Sequence, residues 1–344
     1  MHPVAARGAA DEVALARFRR LVSVTIAATF VLVLIGGVVR VSDSGLGCGP
    51  AGSGTHGWPL CEGGLVPAAS AESAIEYTHR IAAGVVGVLI AICVWQALRN
   101  LRSHRWLVRG SIAAGVLVVV QAVLGGLTVE EGLDEALVAA HLGLAMLLLG
   151  LLLLLRRGAE PQTAAAPAPG GQGLRALAVV AATLLLATIV AGGYVAGTEK
   201  EGTPGEPVAG QAHVACGTGF DADHFPACNG EFPGFGQSRL ADIHLVHRTL
   251  MYLTAIAIVA LVAVAVRDRV RTGAFLLAGA LLVLQILLGV ANVWFDKHAG
   301  LIVGHLTLAT LLWGAVVYAS ATLLPVSSPA RLAVGRGEAA GATA

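Results

Sequence analysis

His79, His141, His247 and His305 each lie about five residues, or roughly 7 Å, inside the same end of a long apolar segment. An imidazole at that depth in hydrocarbon is costly and needs a partner. For one such histidine a hydrogen bond between helices is explanation enough, but four at matched depth ask for a shared one. Neutral imidazoles bind iron axially from opposite faces of a porphyrin, so two of them at one level of a helix bundle form the donor set of a bis-histidine haem. Zinc or copper would want three or four converging ligands, and only Glu76 and His244 accompany the pairs at this depth. The spacing leaves open whether the histidines pair within each half of the chain or across the halves.

Other residues could take part. Glu76 stands three residues before His79, on the same helix face, where the second half has His244; Thr128 is likewise answered by Asn292. A carboxylate beside one histidine pair alone points to chemistry in the first half, and the plainer account is an acid favoured near a helix N-terminus. Arg80 and Arg248 directly follow ligand candidates and suit haem propionates or snorkelling to headgroups. Gly36, Gly37, Gly125, Gly126, Gly192, Gly193 and Gly289 either admit the macrocycle close to backbone or tighten helix packing. His2, His56, His104, His213, His224 and His298 read as solvated residues of loops or helix edges.

The elements that must position these groups are membrane spans. The chain is 56% hydrophobic and 12% charged, with a mean hydropathy of +0.78, more apolar surface than a soluble domain can hide. Eight segments reach the length of a span: 21–39, 74–98, 110–129, 136–155, 176–196, 243–266, 273–294 and 300–324. Arginines gather before the first span and in alternate loops (Arg99, Arg102, Arg105, Arg109; Arg156, Arg157, Arg175; Arg267, Arg269, Arg271), whereas the other loops are acidic. The positive-inside rule then places both termini in the cytoplasm and all four histidines near the outer face. With no histidines at the inner ends, electron transfer across the bilayer is a poor fit. Cys48 and Cys61 share one outer loop and Cys216 and Cys228 another; in an oxidising compartment these read as one disulfide per loop, with free thiols or a metal site as the alternatives.

The chain repeats itself. Gln121 and Gly125 precede His141 as Gln285 and Gly289 precede His305, and the His79–Arg80 pair is answered by His247–Arg248. Four spans per half put both halves in the membrane in the same orientation, so the expected relation is a pseudo-twofold along the membrane normal. The expected architecture is an all-α membrane protein of two four-helix bundles. Its parts are a cytoplasmic tail over 1–20, a first half over 21–157, an Ala/Pro/Gly-rich flexible linker over 158–173, a second half over 174–326 and a disordered tail over 327–344.

The segment from Arg40 to Cys48 (RVSDSGLGC), the closing Trp58-Pro59-Leu60-Cys61-Glu62-Gly63, Glu76-x-x-His79-Arg80, the run from Gln121 to Thr128 (QAVLGGLT), and the second-half His247-Arg248 and His305 together resemble the haem A synthase family. The likeness covers nearly the whole membrane portion. One departure is the interval GPAGSGTHGWPL between Cys48 and Cys61, longer and richer in glycine than the family's, and without its aspartate. The resemblance implies oxidation of a methyl group of haem O to the formyl group of haem A in a plasma membrane. It further implies that His79 and His141 hold the substrate haem O, that His247 and His305 hold a haem b, that Glu76 is the catalytic carboxylate, and that the Cys48–Cys61 disulfide supports the loop over the substrate. Two other classes stay in view: a non-catalytic dihaem b-type cytochrome passing electrons to a partner, and a transporter with parallel repeats, which would hold no stoichiometric haem. An electron acceptor, a handoff from a haem O synthase and self-association are expectations for which no surface motif stands. Nothing calls for nucleic acid.

Overall fold

The computed structural model describes residues 3–67, 70–161, 171–198, 211–270, 272–295 and 298–323. Among them are eight long helices: α1 (Pro3–Val41), α2 (Ala71–Asn100), α3 (Arg105–Glu130), α4 (Glu135–Gly158), α5 (Gln172–Gly197), α6 (Arg239–Arg267), α7 (Thr272–Trp294) and α8 (Ala299–Ala321). All eight are long and apolar enough to cross a membrane. The described residues contain no strand, as a spanning chain requires when every backbone polar group must be satisfied within its own helix.

The helix starts repeat along with the sequence. Ser70 caps α2 by accepting from the amide of Ser73, and Ser238 caps α6 by accepting from Ala241. Asp134 caps α4 through the amides of Ala136 and Leu137, and at the matching place His298 caps α8 through Gly300. His298, expected as a solvated edge residue, thus satisfies a helix-end amide. The expected boundary at residue 21 also moves: α1 begins at Pro3. Phe18 is fully buried, and Asp11 meets His104 at 2.9 Å, so the segment before 21 has tertiary partners and continues the helix. The middle of the expected linker (162–170) and the whole tail over 327–344 lie outside the described residues.

In the first half α1 packs on α2 and α4, and α3 closes the ring between α2 and α4; α5 to α8 form the same ring in the second half. The halves meet through α1, α4, α5 and α8, with α4 on α5, α8 on α1, and α4 against α8. A twofold exchanging the halves produces this set of contacts, with α4 and α8 at its axis. Apolar helices gain little from hiding in one another inside lipid, so close packing and interhelical hydrogen bonds carry the association. Gly150 of α4 lies under the Trp313 ring of α8, whose indole N–H donates to the Met146 carbonyl at 2.7 Å. Nearer the disulfide loops, Arg239 of α6 pairs with Glu135 of α4 at 2.6 Å, and Arg40 of α1 donates to the Ala196 carbonyl of α5.

The α1–α2 and α5–α6 loops lie on one face and are built alike. Disulfides join Cys48 to Cys61 and Cys216 to Cys228, with Cα–Cα distances of 4.3 and 4.4 Å. After the second cysteine of each loop comes a tight turn closed by a bridge, Cys61 to Gly64 and Cys228 to Glu231. Its central residues have positive φ in both copies, Glu62-Gly63 and Asn229-Gly230, the geometry of a type I′ turn. The first loop closes in spite of its longer, glycine-rich interval.

Candidate functional site

His79 and His247 lie eight residues into α2 and α6, and His141 and His305 six residues into α4 and α8. Depth is therefore matched between repeats, and it differs slightly between the two members of a half because their helices start at different heights. His79 on α2 and His141 on α4 share the first four-helix ring, and His247 on α6 and His305 on α8 share the second. In each half the two imidazoles stand on diagonal helices of the four-helix ring.

Each ring rests on a glycine of the helix before its own. A Cβ added to Gly36 would lie 3.1 Å from Cε1 of His79, at Gly125 3.1 Å from that of His141, at Gly192 2.9 Å from that of His247, and at Gly289 3.1 Å from that of His305. These four glycines thus form floors for the imidazoles, a role that sequence reading missed when it assigned them to a macrocycle or to packing. A signal was there: the glycine stands sixteen residues before the histidine in both Gly125–His141 and Gly289–His305. Replacing Gly192 by alanine is expected to be the most disruptive of the four changes, since something must shift below 3.0 Å and His247 is also tied to the Thr188 carbonyl of the same helix. Overpacking of this kind costs about 1–3 kcal/mol. It should appear as haem lost on purification and as an altered low-spin signal in electron paramagnetic resonance, with Gly36→Ala the milder change.

The halves hold their imidazoles differently. Nδ1 of His247 lies 3.0 Å from the Thr188 carbonyl, and the Gln285 amide lies 3.1 Å from Nε2 of His305. In the first half Nδ1 of His79 and Nδ1 of His141 are buried with no partner, and Gln121 donates to the backbone carbonyl of His141, not to its ring. Among the described residues no group of three metal-ligating side chains converges. The unpartnered buried nitrogens and the glycine floors fit a group that takes one imidazole on each side.

Glu76 is 3% exposed. One carboxylate oxygen accepts from the amide of Cys48 at 2.7 Å and the other pairs with Arg80, whose second nitrogen donates to the Leu60 carbonyl at 2.7 Å. The acid and the arginine thereby tie α2, and His79 with it, to both ends of the disulfide loop. The second half copies the arm without the carboxylate: Nε of Arg248 meets His244 at 3.3 Å, and Nη1 donates to the carbonyls of His224 and Ala227. Leu60 and Ala227 each directly precede the second cysteine, so both arginines work first as loop anchors. Nη2 of Arg248 is buried with no partner and is left for a carboxylate such as a propionate. His213, read from sequence as a solvated loop residue, has its ring 6.3 Å from that of His244. Thr128 and Asn292 are both buried and bond within their own helices, to Leu124 and Leu288.

A family model described as a cytochrome oxidase assembly protein, COX15-CtaA, matches residues 69–317. The chain is similar to a protein named heme A synthase in Alkalihalophilus pseudofirmus, 30% identical over 86% of this chain and 93% of the relative. It also resembles proteins of that name in Shouchella clausii, 28% identical over 87% and 95%, and in Shewanella oneidensis, 29% identical over 85% and 92%.

Proposed function

Because the chain belongs to the COX15-CtaA family of cytochrome oxidase assembly proteins, we propose that it is a haem A synthase, a multi-pass membrane oxidoreductase turning the methyl group of haem O into the formyl group of haem A. The observation that carries this reading is an asymmetry between two matched histidine pairs: only the first has a buried carboxylate beside it, Glu76. In this reading His79 and His141 hold the substrate, and His247 and His305 hold a resident haem b. In this reading both termini lie in the cytoplasm and the two sites toward the outer face of the plasma membrane, a reading supported by the arginine bias of the loops opposite the disulfides.

A resident haem, when bound, supplies one-electron chemistry. The protein's own residues do the positioning. The Thr188 carbonyl, accepting from Nδ1–H of His247, leaves Nε2 free and would make it the more basic donor to a haem iron. His79 and His141 lack that support, as suits a porphyrin that must enter and leave. Glu76 stands one turn closer to the disulfide loop than His79, and its carboxylate is oriented by the Cys48 amide and Arg80. From there it would take up the proton that leaves the methyl carbon as an external electron acceptor removes its electrons, or stabilise positive charge on that carbon. The disulfide loop, fastened to α2 at both ends, holds that carboxylate in place.

The test is extraction and chromatography of haems from cells expressing this chain together with a haem O synthase. Haem A appearing only when the chain is present is the expected result. A well-folded protein carrying haem B and unreacted haem O alone would leave a dihaem cytochrome in its place.

A further inference from the structure

Haem O differs from haem B by a long isoprenoid chain, and the two halves differ in whether they leave room for one. In α2 the face that carries Glu76 and Arg80 continues with Gly84 and Gly87, at intervals of four, four and three residues. Gly84 is exposed and Gly87 partly buried, and a Cβ added at either would meet nothing within 4 Å. The same register of α6 reads His244, Arg248, Tyr252, Ala255; the Tyr252 hydroxyl is buried, and Ala255 packs on the core of that half. The facing helices differ in the same sense. Three residues before Gln121 and one after it, α3 has Val118, partly buried, and Ala122, exposed. Against Gln285 the matching positions of α7 are Leu282, 4% exposed, and Ile286, packed on the core.

Val118 packs on the core of its half as Leu282 does, so the α2–α3 seam is cut back at Gly84, Gly87 and Ala122, where the α6–α7 seam is filled by Tyr252, Ala255 and Ile286. Just below, the two seams agree again: Gly115 lies against Val94 as Gly279 lies against Val262. The difference is local, and it begins five residues, roughly 7 Å along the helix, below the histidine. Porphyrin carboxylates belong at the polar, disulfide-loop end, so the apolar substituents of the opposite edge point down toward this level.

We infer that the groove between α2 and α3, at Gly84, Gly87 and Ala122, receives the isoprenoid chain of the substrate, and that Tyr252, with Ile286, excludes such a chain from the second half. Gly84 and Tyr252 are thus the residues that sort a tailed from an untailed porphyrin. The inference rests on the first half being the haem O site. Gly84 stands on the face of α2 that carries Glu76 and Arg80, so a chain leaving the site along that face belongs to the substrate; a lipid acyl chain is the alternative occupant.

The experiment is purification after co-expression with a haem O synthase, with haems O, A and B measured per chain. Gly84→Tyr should lower haem O plus haem A by about tenfold or more relative to haem B, the scale of an overpacked site, while the haem b of the second half remains and reports folding. Tyr252→Gly should do the reverse, admitting haem O to the second half at the expense of haem B. Unchanged ratios in both variants would overturn the assignment and leave the groove to lipid. Should Gly84→Tyr lose its haem b as well, Tyr252→Gly decides alone, and an unchanged haem B share there overturns the proposal. A parent chain that makes haem A while Gly84→Tyr keeps its haem O refutes the groove and spares the enzyme reading. A parent chain with neither haem O nor haem A refutes both.

Discussion

Glu76→Gln is expected to leave both haem spectra in place and to lower haem A formation by roughly 10²–10⁴-fold, the usual contribution of a positioned acid or base. Glutamine keeps an oxygen to accept from the Cys48 amide and loses only the charge and the proton-accepting capacity. Glu76→Ala removes both functions. It strands the Arg80 guanidinium, which is mostly buried beside α2, and leaves the Cys48 amide without its acceptor. Removing one partner of a buried ion pair costs about 3–5 kcal/mol, so the alanine variant should also bind substrate less well and release its loop to protease. The comparison separates chemistry from anchoring. A glutamine variant with full product yield would show that the carboxylate serves only to fasten the loop. A glutamine variant that is inactive with substrate bound would place Glu76 at the reacting carbon.

His247→Ala should strip haem b from the second half and leave haem O or haem A in the first, whereas His79→Ala should do the opposite; both should end product formation. Loss of an axial ligand ought to exceed the roughly 10–100-fold in affinity that follows loss of an outer partner of a metal ligand. The retained haem in each variant therefore identifies the half that holds it. The expectation rests on His79 sharing a four-helix ring with His141, and His247 with His305. If His79→Ala lost haem b instead, the working pairs would have to form across the α4–α8 interface. The asymmetry in support adds a finer prediction. With Nδ1 of His247 held by Thr188 and both Nδ1 atoms of the first half unpartnered, mild detergent washing should release the first-half haem well before the second.

Much of this could be read from the sequence alone because it is local or periodic. Eight apolar runs of spanning length, an arginine bias in alternate loops, two cysteines in each of two loops and four histidines at repeated spacing follow from hydrophobicity, charge and residue type along the chain. The repeat further implies two like bundles, since equal parts in equal order pack alike. What lay beyond the sequence concerns faces of different helices meeting. Gly36, Gly125, Gly192 and Gly289 were visible as glycines, but only the crossing of each helix pair puts their backbones under imidazole rings. Arg80 and Arg248 looked like partners for propionates, and the return path of the loops makes them anchors for the carbonyls of Leu60 and Ala227. Gly84 and Tyr252 are five residues past equivalent histidines; glycine against tyrosine is legible there, but that nothing reaches into the space at Gly84 while the Tyr252 hydroxyl is buried is decided by the helices around them. Pattern along a chain sets which elements form, and the distance between elements, on which reactivity depends, is set by the side chains that meet across them.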